Sequence, residues 1–373
     1  MDKKNLLFID IKIPRYDEDA GSKTIFQFLK LFVNIGFNVT FIGNDFIHTE
    51  PYTSVLHELG IEILSDDYYK NNWKFWLRDN SKNFDIAFLS RPEIFRKYFK
   101  IIKKHTAAKI IYYGHDLHYL RDQREYMLTK DIRKLRSSKI LKKIELSIMK
   151  NADVVYYPSS KEIEIIKEID PSINCKTIPM NIYPKNILKD YNKTKKDLIF
   201  VGGFIHSPNV DAVLWFVNNI FPYIIKEIPD IILNIIGSNV PDQIKTLENN
   251  NIKILGYVDD NTLDEYYNKC RICIAPLRYG AGVKGKIIEA MYKQIPVITT
   301  TIGAEGLPDI EDCLIIEDDP KEYANKLINM YKNNDVLKTL IEKSHNYIME
   351  NFTEDKAKNI ILEDFNTPNN TPA

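Results

Sequence analysis

The chain predicts an α/β fold made of two doubly wound parallel sheets. Three observations predict it. Short apolar runs of strand type alternate with helix-length segments through the first half, a polar lysine-rich stretch from Tyr183 to Lys196 breaks the alternation, and the alternation then restarts. Alternation of this kind implies parallel strands with helices over both faces. The 373 residues fit two domains of about 150 to 200 residues each, and 44% hydrophobic content is that of a globular protein.

In order, LLFIDI, VTFIG, IEIL, DIAFLS, KIIYYG and DVVYYPS read as strands of the first domain, with helices expected around Phe26 to Ile35, Ile94 to Lys104 and Lys130 to Met149. LIFVGG, IILNIIG, IKILGYV, RICIAPL, PVITT and CLIIE read as strands of the second, by their length and β-branched content. The expected organisation is therefore residues 1–182 as one domain, 183–196 as linker and 197–352 as the second domain. A terminal helix over 353–365 and a disordered tail over 366–373 follow. Ligands of open α/β sheets sit at the carboxyl ends of the strands. The loops Asp17 to Thr24, Tyr113 to Leu120, Gly202 to Asn209 and Gly280 to Lys286 are thus expected to converge on a cleft between the domains.

The richest segment is RYGAGVKGKIIEAM, Arg278 to Met291. It opens a helix between two strand-like runs, so its loop lies where a ligand would bind. Gly280, Gly282 and Gly285 let backbone approach a ligand, and the free N–H groups of the first helical turn suit phosphate. Lys284 and Lys286 add full charges. Glu289, a turn or so into the helix, is placed to accept hydrogen bonds from a ribose diol. The chemistry is that of a nucleoside diphosphate site; the plainer alternative is a tight turn with solvated lysines.

Formal charge is zero, with 51 basic and 51 acidic residues, and no nucleic-acid reading motif accompanies the basic residues, so a nucleic-acid partner is not expected. The balance is uneven: Arg91 to Lys150 carries 17 Lys and Arg against 6 Asp and Glu. Within it, Phe95, Tyr98, Phe99, Ile101 and Ile102 interleave with Arg96, Lys97, Lys100, Lys103 and Lys104. This is either a basic amphipathic helix for an anionic membrane surface or a surface helix covering its own sheet. The opening residues carry too short an apolar run for a signal peptide, and no window is long enough to span a bilayer, so a cytoplasmic protein is expected, peripheral on the inner membrane face under the first of those readings. Cys175, Cys270, Cys273 and Cys313 fit a reduced compartment. The single CxxC lacks partners for zinc, and no metal or cofactor is expected.

Leu198 to Leu307 resembles the donor-binding domain of family 4 glycosyltransferases of the GT-B architecture (group 1). The resemblance rests on VGGFIHSPNVDAVLWF, IIGSNVP, ILGYVDD, APLRYGAGVKGKIIEAM and PVITTTIGAEGL. The first half resembles the acceptor domain through PRYDEDAGSKTIFQFLKLF, YYGHDLHYLRDQRE and NADVVYYPSSKE. The resemblance implies an enzyme, a hexosyltransferase moving a sugar from a nucleotide donor, UDP- or GDP-linked, to a glycan or lipid-linked hydroxyl acceptor in surface polysaccharide, lipopolysaccharide or other glycan assembly. Retention of configuration and independence of metal are implied with it. A nucleotide-sugar 2-epimerase on the same scaffold, or a noncatalytic sugar-nucleotide binder, are the alternatives.

Residue by residue, Glu289 matches the second glutamate of the family's E-x7-E pattern, which binds the ribose. The first glutamate is replaced by Ala281, so contact with the sugar would fall to backbone of Gly280 to Val283. The cation pair that often grips the diphosphate is missing from GGFIHSPN (Gly202, Gly203 and Phe204 onward). Lys284, helped by Lys286 or Arg278, is expected to supply that charge. Gly21 and Ser22 match the glycine loop near pyrophosphate and sugar, with Ser22 also a candidate helix cap. His115 matches the histidine that contacts the donor sugar, with Asp116 and His118 as neighbours. His115, Asp116, Lys284 and Glu289 are thus the candidate catalytic residues. Asp17 and Asp19 form a DxD read as part of this loop rather than as a metal site, and Asp259 and Asp260 read as a helix cap.

Overall fold

A computed structural model describes residues 3–189 and 194–366. The chain forms two compact units. One comprises the residues up to Tyr126, Lys130–Ile182 and the segment from Glu354; the other comprises Tyr183–Thr353 with Met127–Thr129. Four residues of the expected linker, 190–193, and the expected tail after Asn366 lie outside the described residues.

The first unit holds a seven-stranded sheet of β1 (Asn5–Asp10), β2 (Asn38–Gly43), β3 (Glu62–Ile63), β4 (Ile86–Ser90), β5 (Lys109–Tyr113), β6 (Val154–Tyr157) and β7 (Cys175–Thr177). Its order is β3-β2-β1-β4-β5-β6-β7, with every pairing parallel. Because side chains alternate along a strand, Leu6 and Phe8 of β1 feed one core while Leu7 and Ile9 feed the other. The first core is aromatic, with Phe8 stacked on Phe88 at 4.6 Å between ring centroids. Covering both faces requires apolar strands, which is why these strands read as continuous apolar runs.

The helix Glu354–Asn366 belongs to this unit: Ala357, Ile361 and Phe365 enter the aromatic core. Its Asp364 is buried between Tyr156 Oη, 2.6 Å, and Lys176 Nζ, 2.7 Å.

The second unit holds a six-stranded sheet of β8 (Leu198–Val201), β9 (Leu233–Ile236), β10 (Ile252–Gly256), β11 (Ile272–Ala275), β12 (Val297–Thr299) and β13 (Ile315–Ile316). It is ordered β10-β9-β8-β11-β12-β13 and is also parallel throughout. In both sheets the strand order reverses beside the first strand of the unit. Loops leaving the carboxyl ends there open a crevice where ligands bind.

Three expectations change. The first helix runs Ala20–Asn34, starting six residues before Phe26, and its cap is Asp19, whose Oδ1 accepts from Ser22 N at 2.7 Å. Ser22 is therefore inside the helix, not at its cap, and it adds a second bond from Oγ to Asp19 Oδ2 at 2.9 Å. β7 and the helices Tyr52–Glu58, Asp67–Asn80, His118–Thr129 and Ser160–Ile169 were not expected from the sequence. In the basic helix Pro92–His105, Ile94, Phe95, Tyr98 and Ile102 are buried and Phe99 and Ile101 pack on the same core, so its apolar side covers its own sheet. All four cysteines are free and buried. Among the described residues no helix is long and apolar enough to cross a membrane, and no cluster of three or more His, Cys, Asp or Glu could hold a metal ion. Asp17 accepts from Tyr52 Oη, 2.7 Å, and Asp259 caps its helix by accepting from Thr262 N, 2.8 Å.

Candidate active site

In the second unit, β11 ends at Ala275 and the chain turns through residues 276–284 into the helix Gly285–Tyr292. The turn is fixed below by Tyr279, 4% exposed, and Leu277, 2%. Gly280 and Gly282 adopt φ of 143° and 70°, a region open to glycine at little cost. Ala281 lies between them and offers backbone only. Lys284 is the N-cap residue and makes no side-chain cap. Its Nζ folds back on the carbonyls of Ala281, 3.3 Å, and Gly282.

Lys286, named as a helper of Lys284, is the lysine that reaches the loop after β8, while Lys284 stays on its own turn. Helical side chains lean toward the N-terminus, and from the second position of its helix Lys286 reaches the loop after β8. Its Nζ donates to Asn209 Oδ1 at 2.6 Å and lies 4.3 Å from the Phe200 ring centroid. Asn209 in turn donates to Gly203 O at 2.7 Å. Gly202 leaves room for this contact: a methyl group there would crowd Lys286 Nζ and press on Asn209 at 3.0 Å, so the lysine would have to move aside. Burial pulls the Lys286 ammonium down to about 7, with Lys284 adding repulsion. The GGFIHSPN loop thus receives a cation from the helix after β11. Phe204 is buried in the core beneath this loop.

Arg278 is committed elsewhere. It pairs through two nitrogens with Asp211, Nε to Oδ2 at 2.9 Å, and lies over the Trp215 ring at 5.7 Å. Glu289 lies half-buried one turn into the helix. The Tyr267 hydroxyl is buried without a hydrogen-bond partner among the described residues, and burial first, then the Glu289 charge, holds it far above the usual phenol range. Val283 closes the turn at 8% exposure.

In the first unit, β5 ends at Tyr113, and residues 114–117 lead to a helix beginning at His118. His115 Nε2 sits 3.2 Å from Ser90 Oγ, its ring packs edge-on to Tyr113, and burial followed by the charge of Arg91 holds it well below the ordinary imidazole range. Asp116 is held by His118 Nε2, 3.1 Å, and Arg121 Nη1, 2.8 Å. Burial opposes its charge, but these partners hold it well below the usual carboxylate range, and His118 is raised against its own burial by Asp116. Gly21 lies beside His115: a methyl group there would be 3.6 Å from His115 Cε1.

Sequence reasoning missed the residues that hold this loop. Glu145, fully buried, accepts from His118 N at 2.9 Å through Oε1 and Tyr119 N at 3.1 Å through Oε2. Glu162, also fully buried, accepts from Leu117 N at 2.6 Å. A carboxylate binding successive helix-start amides satisfies orphan donors and complements the helix dipole. Burial nonetheless pushes Glu145 up to about 7. Arg91 and Asn209 were missed as well. Only the SRP tripeptide at the end of β4 hinted at Arg91.

Residues 195–333 match the family model described as glycosyl transferases group 1. A 44.6 kDa protein in the cps region of Klebsiella pneumoniae, itself described as uncharacterised, is 30% identical over 176 residues, 45% of each chain, so the match spans about half the length of that relative. The fold is similar to sucrose-phosphate synthase from Thermosynechococcus elongatus, with TM-score 0.70 and 16% identity over 97% of this chain and 98% of that one. It is similar to a glycosyltransferase from Rickettsia africae, with TM-score 0.71 and 16% identity over 98% of each. It is also similar to Anabaena HepE in complex with UDP and glucose, with TM-score 0.67 and 13% identity over 97% and 99%.

Proposed function

We propose, from a chain with the GT-B glycosyltransferase fold whose residues 195–333 match the group 1 glycosyltransferases, that it transfers a sugar from a nucleoside diphosphate donor to a hydroxyl of a growing surface polysaccharide. The observation that carries this reading is the approach of Lys286 to the Gly202 loop beside the glycine turn and helix start at Gly280 to Gly285. Backbone amides and an ammonium aimed at one place suit a diphosphate leaving group, whose charge grows in the transition state. UDP is the first nucleotide to try, because HepE was solved with UDP and with UDP-glucose, and the cps-region relative favours capsule-type glycans.

Each residue then has a task. Glu289 accepts from the ribose diol. Gly280 to Val283 present amides, and Lys286, with Lys284 beside it, neutralises the diphosphate. His115, neutral and half-buried, hydrogen-bonds the sugar, and Asp116 and His118 fix its loop. With retention, the departing phosphate takes the proton of the acceptor hydroxyl as the new C–O bond forms and the sugar–phosphate bond breaks. The chain's work is then orientation and charge neutralisation. The metal-independent part of the proposal draws on Asp19 and Asp17 being spent on a helix cap and on Tyr52.

Supplying UDP- and GDP-sugars with and without capsular glycan fragments tests the proposal. Transfer requires nucleoside diphosphate release in step with an acceptor-bound sugar of unchanged anomeric configuration. A donor epimerised without acceptor identifies an isomerase, and donor bound but never consumed identifies a binding protein.

A further inference from the structure

The helix Ile132–Asn151 carries seven Lys and Arg and one acidic residue, Glu145. Glu145 is fully buried and turned inward onto the amides of His118 and Tyr119. The outward side of the helix therefore holds positive charge alone. Ile132, Arg136, Lys139, Ile140 and Lys143 recur in the steps of one helix face, and all five are exposed.

Two features set this face apart from an ordinary solvated one. Most cations of the helix are spent on neighbours: Arg133 on Asp131 at 2.7 Å, Lys134 on Glu125 at 3.0 Å and Lys150 on Asp170 at 2.8 Å, while Lys142 lies 5.3 Å from the Tyr119 ring centroid. Arg136, Lys139 and Lys143 have no acidic partner among the described residues. In their midst Ile132 and Ile140 are 50% and 61% exposed. One exposed apolar side chain needs no explanation. Two within a stripe of unpaired cations fit a partner that is both anionic and apolar.

The neighbouring helix widens the surface. Pro92–His105 packs beside Ile132–Asn151 over the same core, and its outward side presents Arg96, Lys100 and Lys104 against Glu93 as its sole acidic residue.

Topology places the stripe at one end of the first sheet. The helix leads into β6, so its last turn lies at the amino end of the strands, and Glu145 already meets the helix start that follows the carboxyl end of β5. Its 20 residues span about 30 Å, about twice the length of the strands beside it. Residues 132–143 therefore extend past the carboxyl ends of β5 and β6.

We infer that this outward face docks on a bilayer leaflet with anionic headgroups, Arg136, Lys139 and Lys143 meeting the headgroup phosphates while Ile132 and Ile140 enter the interface. Nucleic acid or an acidic protein would satisfy the cations and leave the isoleucines in water. An anionic leaflet satisfies both, because acyl chains begin just beneath its charge. The apolar contact is made by the two isoleucines and not by the Phe95 to Ile102 side of the neighbouring helix, which is occupied by its own core. The inference goes beyond the transfer reaction. Its purpose, bringing a lipid-borne acceptor to the carboxyl ends of the first sheet, rests on the glycosyltransferase reading.

The test cosediments the full chain, without donor, with vesicles of phosphatidylcholine alone and of phosphatidylcholine mixed with phosphatidylglycerol. Wild type should pellet with the anionic vesicles alone, and less as salt rises. Each lysine or arginine at such a surface is worth about fivefold in affinity, so Arg136→Gln/Lys139→Gln/Lys143→Gln should bind about a hundredfold more weakly. Ile132→Gln/Ile140→Gln should also bind more weakly, and salt should abolish what binding remains. Glutamine suits a helix, and unchanged thermal midpoints verify that both variants fold. Wild type that ignores anionic vesicles, pellets equally with pure phosphatidylcholine, or is matched by both variants overturns the inference. Loss in the charge variant alone, with duplex DNA held as tightly as vesicles, identifies a general polyanion surface and overturns it too. Vesicle binding by a protein that transfers no sugar supports the surface and removes the glycosyltransferase reading; transfer without vesicle binding overturns the surface and leaves that reading in place.

Discussion

Lys286 Nζ lies 2.6 Å from Asn209 Oδ1, so a cation on the helix after β11 is delivered to the loop after β8, which carries no Lys or Arg of its own before Asn209. Two loops that each look incomplete in sequence are brought together by this one side chain.

Lys286→Gln should weaken nucleotide-sugar affinity by at least tenfold, and Lys284→Gln by less, because the Lys284 ammonium is folded onto its own loop. Calorimetry on both variants checks this.

The same lysine makes donor affinity depend on pH. Burial lowers its ammonium to about 7 in the free protein, and a bound diphosphate favours the charged form. Affinity should therefore be highest below pH 7 and fall as pH rises through it. A nucleotide sugar is the right probe, since its diphosphate diester does not titrate in this range. Lys286→Gln should flatten the profile; a wild-type profile already flat from pH 6 to 9 contradicts the assignment.

Glu145→Gln preserves shape but sets an amide N–H against one of two backbone donors, His118 N or Tyr119 N. Turnover should fall about tenfold with nucleotide affinity within twofold. Stability gives an independent sign. Burial raises the folded-state value of Glu145 from 4.5 to about 7, so between these values the folded protein binds more protons than the unfolded chain. Wild-type stability should decline as pH rises from about 4.5 to 7, by on the order of 2–3 kcal/mol. That component should be missing from the denaturation profile of Glu145→Gln.

Arg278→Ala should leave nucleotide affinity within twofold. Its guanidinium is spent on Asp211 and Trp215, a partly exposed pair whose loss costs about 0.5–1 kcal/mol after solvent screening. Tenfold weaker binding would return Arg278 to the donor site.

Much of this was legible in the sequence because parallel strands buried on both faces must be apolar throughout, as LLFID in β1 and ICIA in β11 are. β7 was missed because CKT is three residues with a lysine at its centre. The helix Asp67–Asn80 was missed because its aromatic residues divide between core and surface, Trp76 packing inward while Tyr68 and Phe75 are exposed. The glycine turn was readable from spacing, and Gly280 and Gly282 do take positive φ. Choosing Lys286 over Lys284 required knowing which way each side chain leaves the helix start. Glu145 and Glu162 look like solvated charges on lysine-rich helices, and only the fold shows that they face the backbone of residues 117–119.

The most direct test of the donor site is thermal stabilisation by UDP, GDP, ADP, CMP and dTDP, compared between wild type and Glu289→Ala, since a ligand of the folded state raises the midpoint by mass action. One nucleoside diphosphate, with UDP expected first, should raise the wild-type midpoint clearly and leave that of Glu289→Ala almost unmoved. No shift in wild type with any nucleotide, or an equal shift in both proteins, would contradict the assignment of Gly280 to Glu289 as the donor site.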